Sequence, residues 1–268
     1  MPIPTEGYPL TAAVSPRVQI VEATDSTNAD VVAAVSADPD AWPHLSLLLT
    51  TDQRAGRGRL DRTWTAPAGT ALAVSVVLRV PELPIQFRGW LPLLSGVAMT
   101  TAVRAQLSGS GHITGLKWPN DVLVDGGKIS GILAEVVPGR PDIVVVGVGT
   151  NTSMSAVDLP VATATSFAAM GVDCNDDALL ATFVRELADH ITRLMGAVDT
   201  QGARAEVESV CTTIGSDVVV SLPDSTRLSG QATALDDDGR LVVKTTEGAE
   251  VAVAAGDVVH VRSTLSAS

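Results

Sequence analysis

Apolar positions follow two different periodicities, and these divide the chain in two. In the first part, strand-like runs alternate with helix-like stretches. Residues 18–21, 45–51, 70–80 and 142–151 read as strands. The third alternates, with Leu72, Val74 and Val76 on one face. The fourth is apolar almost throughout, as a strand buried on both faces is. Its end is thinned by Gly147 and Gly149 and followed by Asn151. Residues 31–35 read as a helix whose start carries Thr27 and Asp30 at capping-box spacing. Residues 91–107 place Leu94, Val97, Ala98 and Thr101 at helical spacing. Leu180, Phe183, Val184, Leu187, Ile191, Leu194 and Met195 form one apolar stripe, on a helix capped by Asn175 or Asp176. A shorter helix is predicted over 203–213. Pairing of 45–51 with 70–80 would present the segment between them as an extended connection.

After Ile214-Gly215 the helical period stops. Short β-rich runs follow at 217–222, 228–235, 240–245, 250–253 and 258–262, separated by Pro-Asp, Asp-Gly and Glu-Gly turn signals. Regular short strands of this kind predict a small barrel of about fifty residues. The expected organisation is a loose N-terminal arm over 1–16, a main domain over 17–214 and a small domain over 215–268.

Composition narrows the function classes. A chain of 268 residues can bury a large core, and with 3% aromatics that core must be built from Ala, Val and Leu. The net charge of −12 argues against a broad nucleic-acid-binding surface. No apolar run approaches the ~20 residues of a membrane span. The N-terminus has Glu6 and no basic stretch, which does not fit a secretory signal. Cys174 and Cys211 are too few for a zinc or disulfide framework and suit a reducing, cytoplasmic setting.

Chemistry concentrates in three places. Asp125-Gly126-Gly127 between apolar runs at 122–124 and 129–137 predicts a hairpin. The hairpin gathers Lys117, Asn120, Asp121 and Lys128, with Pro119 marking an irregular strand end. Two amines, an amide and a carboxylate there suit a phosphate or carboxylate ligand and a metal; the plainer alternative is a solvated edge with turn residues. The stretch 52–64 holds four arginines and two glycines, a composition that lets backbone and guanidinium groups close on an anion. It is expected to be mobile when empty. Gly56-x-Gly58 lacks the third glycine of a dinucleotide fingerprint. Ser26-Thr27-Asn28 combines a helix cap with hydroxyls that can face a pocket, Thr27 as the cap and Ser26 toward the ligand. Taken alone, Asn151 reads first as an ordinary turn residue and second as a ligand contact.

Taken together these stretches resemble the biotin protein ligases. The resemblance rests on Ser26-Thr27-Asn28, on Gln53 with Gly56-Arg57-Gly58-Arg59 and Trp64, on Lys117-Trp118-Pro119-Asn120-Asp121, on residues 127–135, and on Gly147-Val148-Gly149-Thr150-Asn151. It runs from Val18 to the C-terminus. It implies an α/β (α+β) fold: a mixed β-sheet flanked by helices, like the class II aminoacyl-tRNA synthetases and biotin synthetases, followed by an SH3-like barrel. It implies ATP-dependent formation of biotinyl-5′-AMP and transfer of biotin to a lysine of the biotin carboxyl carrier domain of an acyl-CoA carboxylase. Lys128 would hold the biotin carboxylate and the α-phosphate, with Lys117 and Arg57 as further catalytic candidates. Ser26, Thr27, Asn28 and Gln53 would line the ureido pocket, joined at biotin by Arg57, Gly58, Arg59 and Lys128. Arg57, Arg59, Trp64, Lys117, Asn120, Lys128 and Asn151 would contact ATP or the adenylate, and Asp121 would hold Mg²⁺. The loop departs from the family at Leu60 and Asp61, where a basic residue and glycine often stand. With only a short arm before the first strand, the chain reads as the monofunctional type, a monomer or weak homodimer without DNA as a partner. Competing expectations are a lipoate or octanoate ligase of the same fold, a biotin-responsive DNA-binding repressor, and a non-catalytic binding module.

Overall fold

The computed structural model describes residues 7–60, 62–197 and 200–261. In chain order its elements are α1 (Pro9–Ala12), β1 (Val18–Ile20), α2 (Thr27–Ala37), β2 (Leu47–Thr50), β3 (Gly56–Arg57), β4 (Thr63–Trp64), β5 (Ala71–Arg79) and α3 (Trp90–Gln106). They continue with β6 (Thr114–Lys117), β7 (Asp121–Val124), β8 (Gly127–Val137), β9 (Arg140–Asn151), α4 (Asp176–Ala197) and α5 (Thr200–Glu208). The last five strands are β10 (Asp217–Ser221), β11 (Arg227–Leu235), β12 (Leu241–Thr245), β13 (Glu250–Val253) and β14 (Asp257–His260).

Seven strands form one sheet in the order β1-β2-β5-β9-β8-β7-β6. β1 and β2 are parallel and the other pairs antiparallel, so the sheet is mixed, and β2 pairs with β5 as the intervening arginine stretch predicts. Alternation along the strands gives the sheet two different faces. One carries Leu72, Val74, Val76 and Leu78 of β5 and Val144, Val146 and Val148 of β9, packed with Leu91, Leu94 and Met99 of α3 and Phe183, Leu187 and Ile191 of α4. Burying each such side chain contributes about 1.5–3 kcal/mol. The other face divides along its length. Leu48, Val77, Ile143, Val145 and Val137 pack with Val31 and Val35 of α2. Beyond them, in the same alternation, stand Ala73 and Ser75 of β5 opposite Gly149 and Gly147 of β9, with Gly131 and Leu133 of β8 in the next column. That half is small or polar, and it is the floor of the site.

The hairpin forms as its turn residues require: Asp125 and Gly126 adopt φ +50° and +81°, the left-handed pair of a two-residue turn. A β-bulge interrupts the β7–β8 ladder, where Val122 faces Ser130 but Leu123 faces Lys128. The extra residue sends Ile129 and Ser130 consecutively into the core, 0% and 1% exposed. Lys128 is thereby turned to the face of Gly131, Leu133 and Glu135, which strict alternation would have denied it.

Three local expectations change. Residues 8–15 are packed rather than a loose arm; residues 1–6 lie outside the described residues. Tyr8 is 3% exposed, and the Asp177 carboxylate accepts from Leu10 N, Thr11 N and the buried Thr11 hydroxyl. Ser26, not Thr27, caps α2, accepting from Ala29 N, while Asp30 accepts from Thr24. α5 ends at Glu208 instead of continuing to 213, because Val210–Thr212 instead follows the free edge of β6, bridging at Leu116. Asn175 caps α4 through Ala178 N.

The C-terminal strands form an antiparallel sheet ordered β13-β12-β11-β10-β14, with a bulge at Ala232/Ala234 and a core of Val218, Val220, Ala232, Leu235, Leu241, Val243, Val253 and Val258. Two tryptophans tie it to the large sheet. Trp90 Nε1 donates to Asp237 O at 2.9 Å and Trp118 Nε1 to Gly239 O at 3.2 Å.

Candidate active site

The floor described above is walled on one side by the first turn of α2 and roofed by the arginine segment. That segment is a short ribbon in which Gly56 pairs with Trp64 and Arg57 with Thr63; Asp61 lies outside the described residues. The cleft between them is lined by Ser26, Thr27, Asn28, Gln53, Arg57, Gly58, Arg59, Trp64, Asn120, Asp121 and Lys128, all expected from the sequence. Lys117 and Asn151 are not among its lining residues.

Two glycines of β9 make room for the walls. A Cβ on Gly147 would overlap the Asn28 amide, and one on Gly149 would stand 2.7 Å from the Trp64 indole, which lies against that strand. Trp64 thus fastens the roof to the floor.

One end of the cleft is a polar ring. Gln53 Oε1 accepts from Thr27 N at 2.8 Å and from Thr27 Oγ1 at 3.1 Å. Ser75, fully buried, lies 2.8 Å from Thr27 Oγ1 and 2.6 Å from Asn28 Oδ1. Asn28 Nδ2 donates to Leu133 O at 3.3 Å and to Glu135 Oε2 at 2.6 Å, and Glu135 pairs with Arg57 at 3.2 Å.

The other end is cationic. Lys128 Nζ is 2.6 Å from Asp121 Oδ1 and rests over Gly131. Arg59 reaches Asn120 Oδ1 at 3.1 Å and Gly256 O at 3.4 Å, and Arg62 pairs with Asp257. Burial lowers the pKa of Lys117, opposed by the Asp121 charge and reinforced by Lys128 and Arg62. Burial likewise lowers that of Arg59, with Asp121 opposing and Arg62 adding to the effect. Like charges this close are relieved by an anionic ligand. Asn151 Nδ2 donates to Thr165 O in the loop after β9, at 2.9 Å.

Among the described residues no group of three or more His, Cys, Asp or Glu could hold a metal ion. Asp121 is one carboxylate, which suits Mg²⁺ only when phosphates and water complete the shell. No helix among the described residues is long and apolar enough to cross a membrane.

Residue types and spacing did not single out Ser75, Glu135, Arg62 or Asp257. Ser75 had a signal, a lone hydroxyl in an apolar strand. Asp257 had none, since it arrives from the other sheet.

Such a cleft suits a ligand with a polar ring at one end and an anion at the other. The chain matches the model of the Biotin/lipoate A/B protein ligase family over residues 21–151 and that of the Biotin protein ligase C terminal domain over 213–261. It is 41% identical over 249 residues to the biotin–[acetyl-CoA-carboxylase] ligase of Mycobacterium tuberculosis, covering 92% of this chain and 90% of that one. It is 31% identical to the bifunctional ligase/repressor BirA of Bacillus subtilis, across 77% of this chain and 63% of BirA. The fold matches a biotin protein ligase of Aquifex aeolicus solved with biotin and ATP: TM-score 0.75, 22% identity, 91% of this chain and 99% of that one.

Proposed function

Because the chain belongs to the biotin protein ligase family, we propose that it activates biotin with ATP and transfers it to a lysine of the biotin carboxyl carrier domain of an acyl-CoA carboxylase. The observation that carries this reading is one cleft with the Thr27–Ser75–Asn28–Gln53 ring at one end and Lys128, Arg59 and Arg62 at the other.

In the first step a biotin carboxylate oxygen attacks the α-phosphorus of Mg·ATP. An O–P bond forms, the bond to the β-phosphate oxygen breaks, and pyrophosphate leaves. Both reactants are anions, so the barrier is mainly repulsion and charge growing on the phosphoryl oxygens. Lys128 bridges the carboxylate and the α-phosphate. Arg57 and Arg59 neutralise the phosphates, and Lys117 adds to the field from behind Asp121. Asp121 would hold Mg²⁺ together with the nucleotide phosphates, and the ion would offset their charge; Lys128 turns from Asp121 to the substrate.

In the second step the unprotonated amine of the acceptor lysine attacks the acyl carbon and AMP leaves. The ribbon carrying Trp64 stays closed so that water does not cleave the mixed anhydride first. The ring of Thr27, Asn28 and Gln53 reads the ureido group. A buried ring of this kind rejects ligands that leave its groups unpaired, which disfavours lipoate. The buried free thiols Cys174 and Cys211 suit the cytoplasm, where this chemistry would take place.

The test is single-turnover transfer of labelled biotin to a lysine-bearing carrier domain with Mg·ATP. Wild type should label the lysine, and Lys128→Ala should label it at least about 100-fold more slowly. Equal rates would remove Lys128 from the chemistry.

A further inference from the structure

Asn28 has one amide with two donors and one acceptor oxygen, and the structure accounts for nearly all of them. Both Nδ2 hydrogens are taken, by Leu133 O and by the Glu135 carboxylate. Neither partner can donate, so the amide has one permitted orientation. Its oxygen lies 2.6 Å from the Ser75 hydroxyl, a donor shared with Thr27 Oγ1 at 2.8 Å. What remains on Oδ1 is acceptor capacity, which a donor such as a ligand N–H fills and a ligand acceptor does not. The side chain is 4% exposed, so a ligand that offers an acceptor there meets a buried mismatch.

Glu135 does a second thing. The carboxylate that fixes Asn28 also holds Arg57 of the roof, at 3.2 Å. It sits on β8, one strand position from the floor of the cleft, and its partner across the ladder is Val145 of β9. It ties the ring that reads the ligand to the ribbon that covers it, through Asn28 on one side and Arg57 on the other.

We propose that Glu135 is a positioning residue with two separable roles: it sets the polarity of Asn28, so that the pocket selects a urea N–H, and it holds Arg57 so that the roof closes over the adenylate. This rests on the reading of the cleft as a biotin and ATP site. The two roles make different demands. Orienting Asn28 needs only an acceptor oxygen, which glutamine also has. Holding Arg57 needs the charge.

The experiment compares wild type, Glu135→Gln and Glu135→Leu. Two quantities are read on each: KM for biotin in biotin-dependent ATP–pyrophosphate exchange, and the rate at which biotinyl-5′-AMP escapes or hydrolyses without acceptor. E135Q should leave the KM for biotin within about threefold of wild type while adenylate loss rises about tenfold or more. E135L should raise both by about tenfold or more. In an Arg57→Ala background, E135Q should add nothing further to adenylate loss, a coupling that general destabilisation would not produce. The proposal is overturned if E135L binds biotin like wild type, if E135Q leaks no faster, or if the E135Q effect persists undiminished without Arg57. Because E135Q is isosteric, its folded state serves as the control should E135L fold poorly. Wild type separates the two levels of failure. No biotin-dependent exchange there would remove the underlying reading, whereas exchange in wild type with unresponsive variants would remove only Glu135.

Discussion

Lys128 Nζ and Asp121 Oδ1 stand 2.6 Å apart on neighbouring strands, in a ladder that a bulge has shifted by one residue. The pair is partly exposed, and its own contribution to stability is small. On the proposed chemistry, an incoming carboxylate and phosphate would replace Asp121 as the partner of this lysine. Asp121→Asn should therefore free Lys128 yet weaken the metal shell. The Mg²⁺ concentration for half-maximal adenylation should rise severalfold, about the effect of one lost ligand among several, while thermal stability barely moves. A Mg²⁺ titration of pyrophosphate exchange checks it, and an unchanged requirement would mean that phosphates and water alone hold the ion.

The glycines of β9 make a sharper prediction. Gly147→Ala would drive a methyl group into the Asn28 amide, and Gly149→Ala would push on the Trp64 indole at 2.7 Å. The first should raise the KM for biotin by about tenfold or more, since a displaced hydrogen-bond reader costs about 1–3 kcal/mol. The second should leave that KM nearly alone and speed the loss of biotinyl-5′-AMP. Measuring both quantities on both variants tests whether the two glycines serve different halves of the site.

Acid should weaken the fold through His44. Its Nδ1 accepts from Arg79 N at 3.0 Å, which requires the neutral ring, and burial with the Arg79 charge lowers its pKa below 6.5. The unfolded chain then binds a proton that the folded protein refuses. This contribution is fully present above the unfolded value and is lost as pH falls toward the folded one. Melting temperature should drop as pH falls below about 6.5, and His44→Asn, which cannot titrate, should show a shallower slope. Equal slopes would assign the loss to other groups.

Trp118 links the two sheets. Trp118→Phe keeps one aromatic ring but removes the pyrrole ring and the donor to Gly239 O, and should cost about 1–3 kcal/mol. Trp118→Ala empties a site that is 2% exposed and should cost about 3–5 kcal/mol. Urea denaturation of the two variants gives both numbers.

Much of this fold was legible because it is written locally. The Asp125-Gly126 turn, the alternation of 70–80 and the stripe of α4 each name their element without help from elsewhere. The gathering of Ser26–Asn28, Gln53, Arg57, Arg59, Asp121 and Lys128 was legible as a recurring set of motifs rather than as geometry. What could not be read depends on partners distant in the chain. Lys128 faces the cleft because of a bulge, and nothing in 127–131 announces the extra residue. Ser26 and Thr27 exchange their expected tasks because Gln53 and Ser75 claim the threonine. Tyr8 and Thr11 pack instead of trailing because Asp177, far along the chain, accepts from Leu10 N and from the N–H and hydroxyl of Thr11. Trp118, which stands in the motif most suggestive of chemistry, anchors the C-terminal sheet.

The most direct test of the central claim is ATP–pyrophosphate exchange with Mg²⁺ and biotin, lipoate or no acid. The account predicts exchange with biotin alone, because the Thr27–Asn28–Gln53 ring requires a urea and Lys128 a carboxylate. Exchange driven by lipoate and not by biotin would contradict it, keeping the acyl-adenylate chemistry but overturning the ligand assigned to the ring.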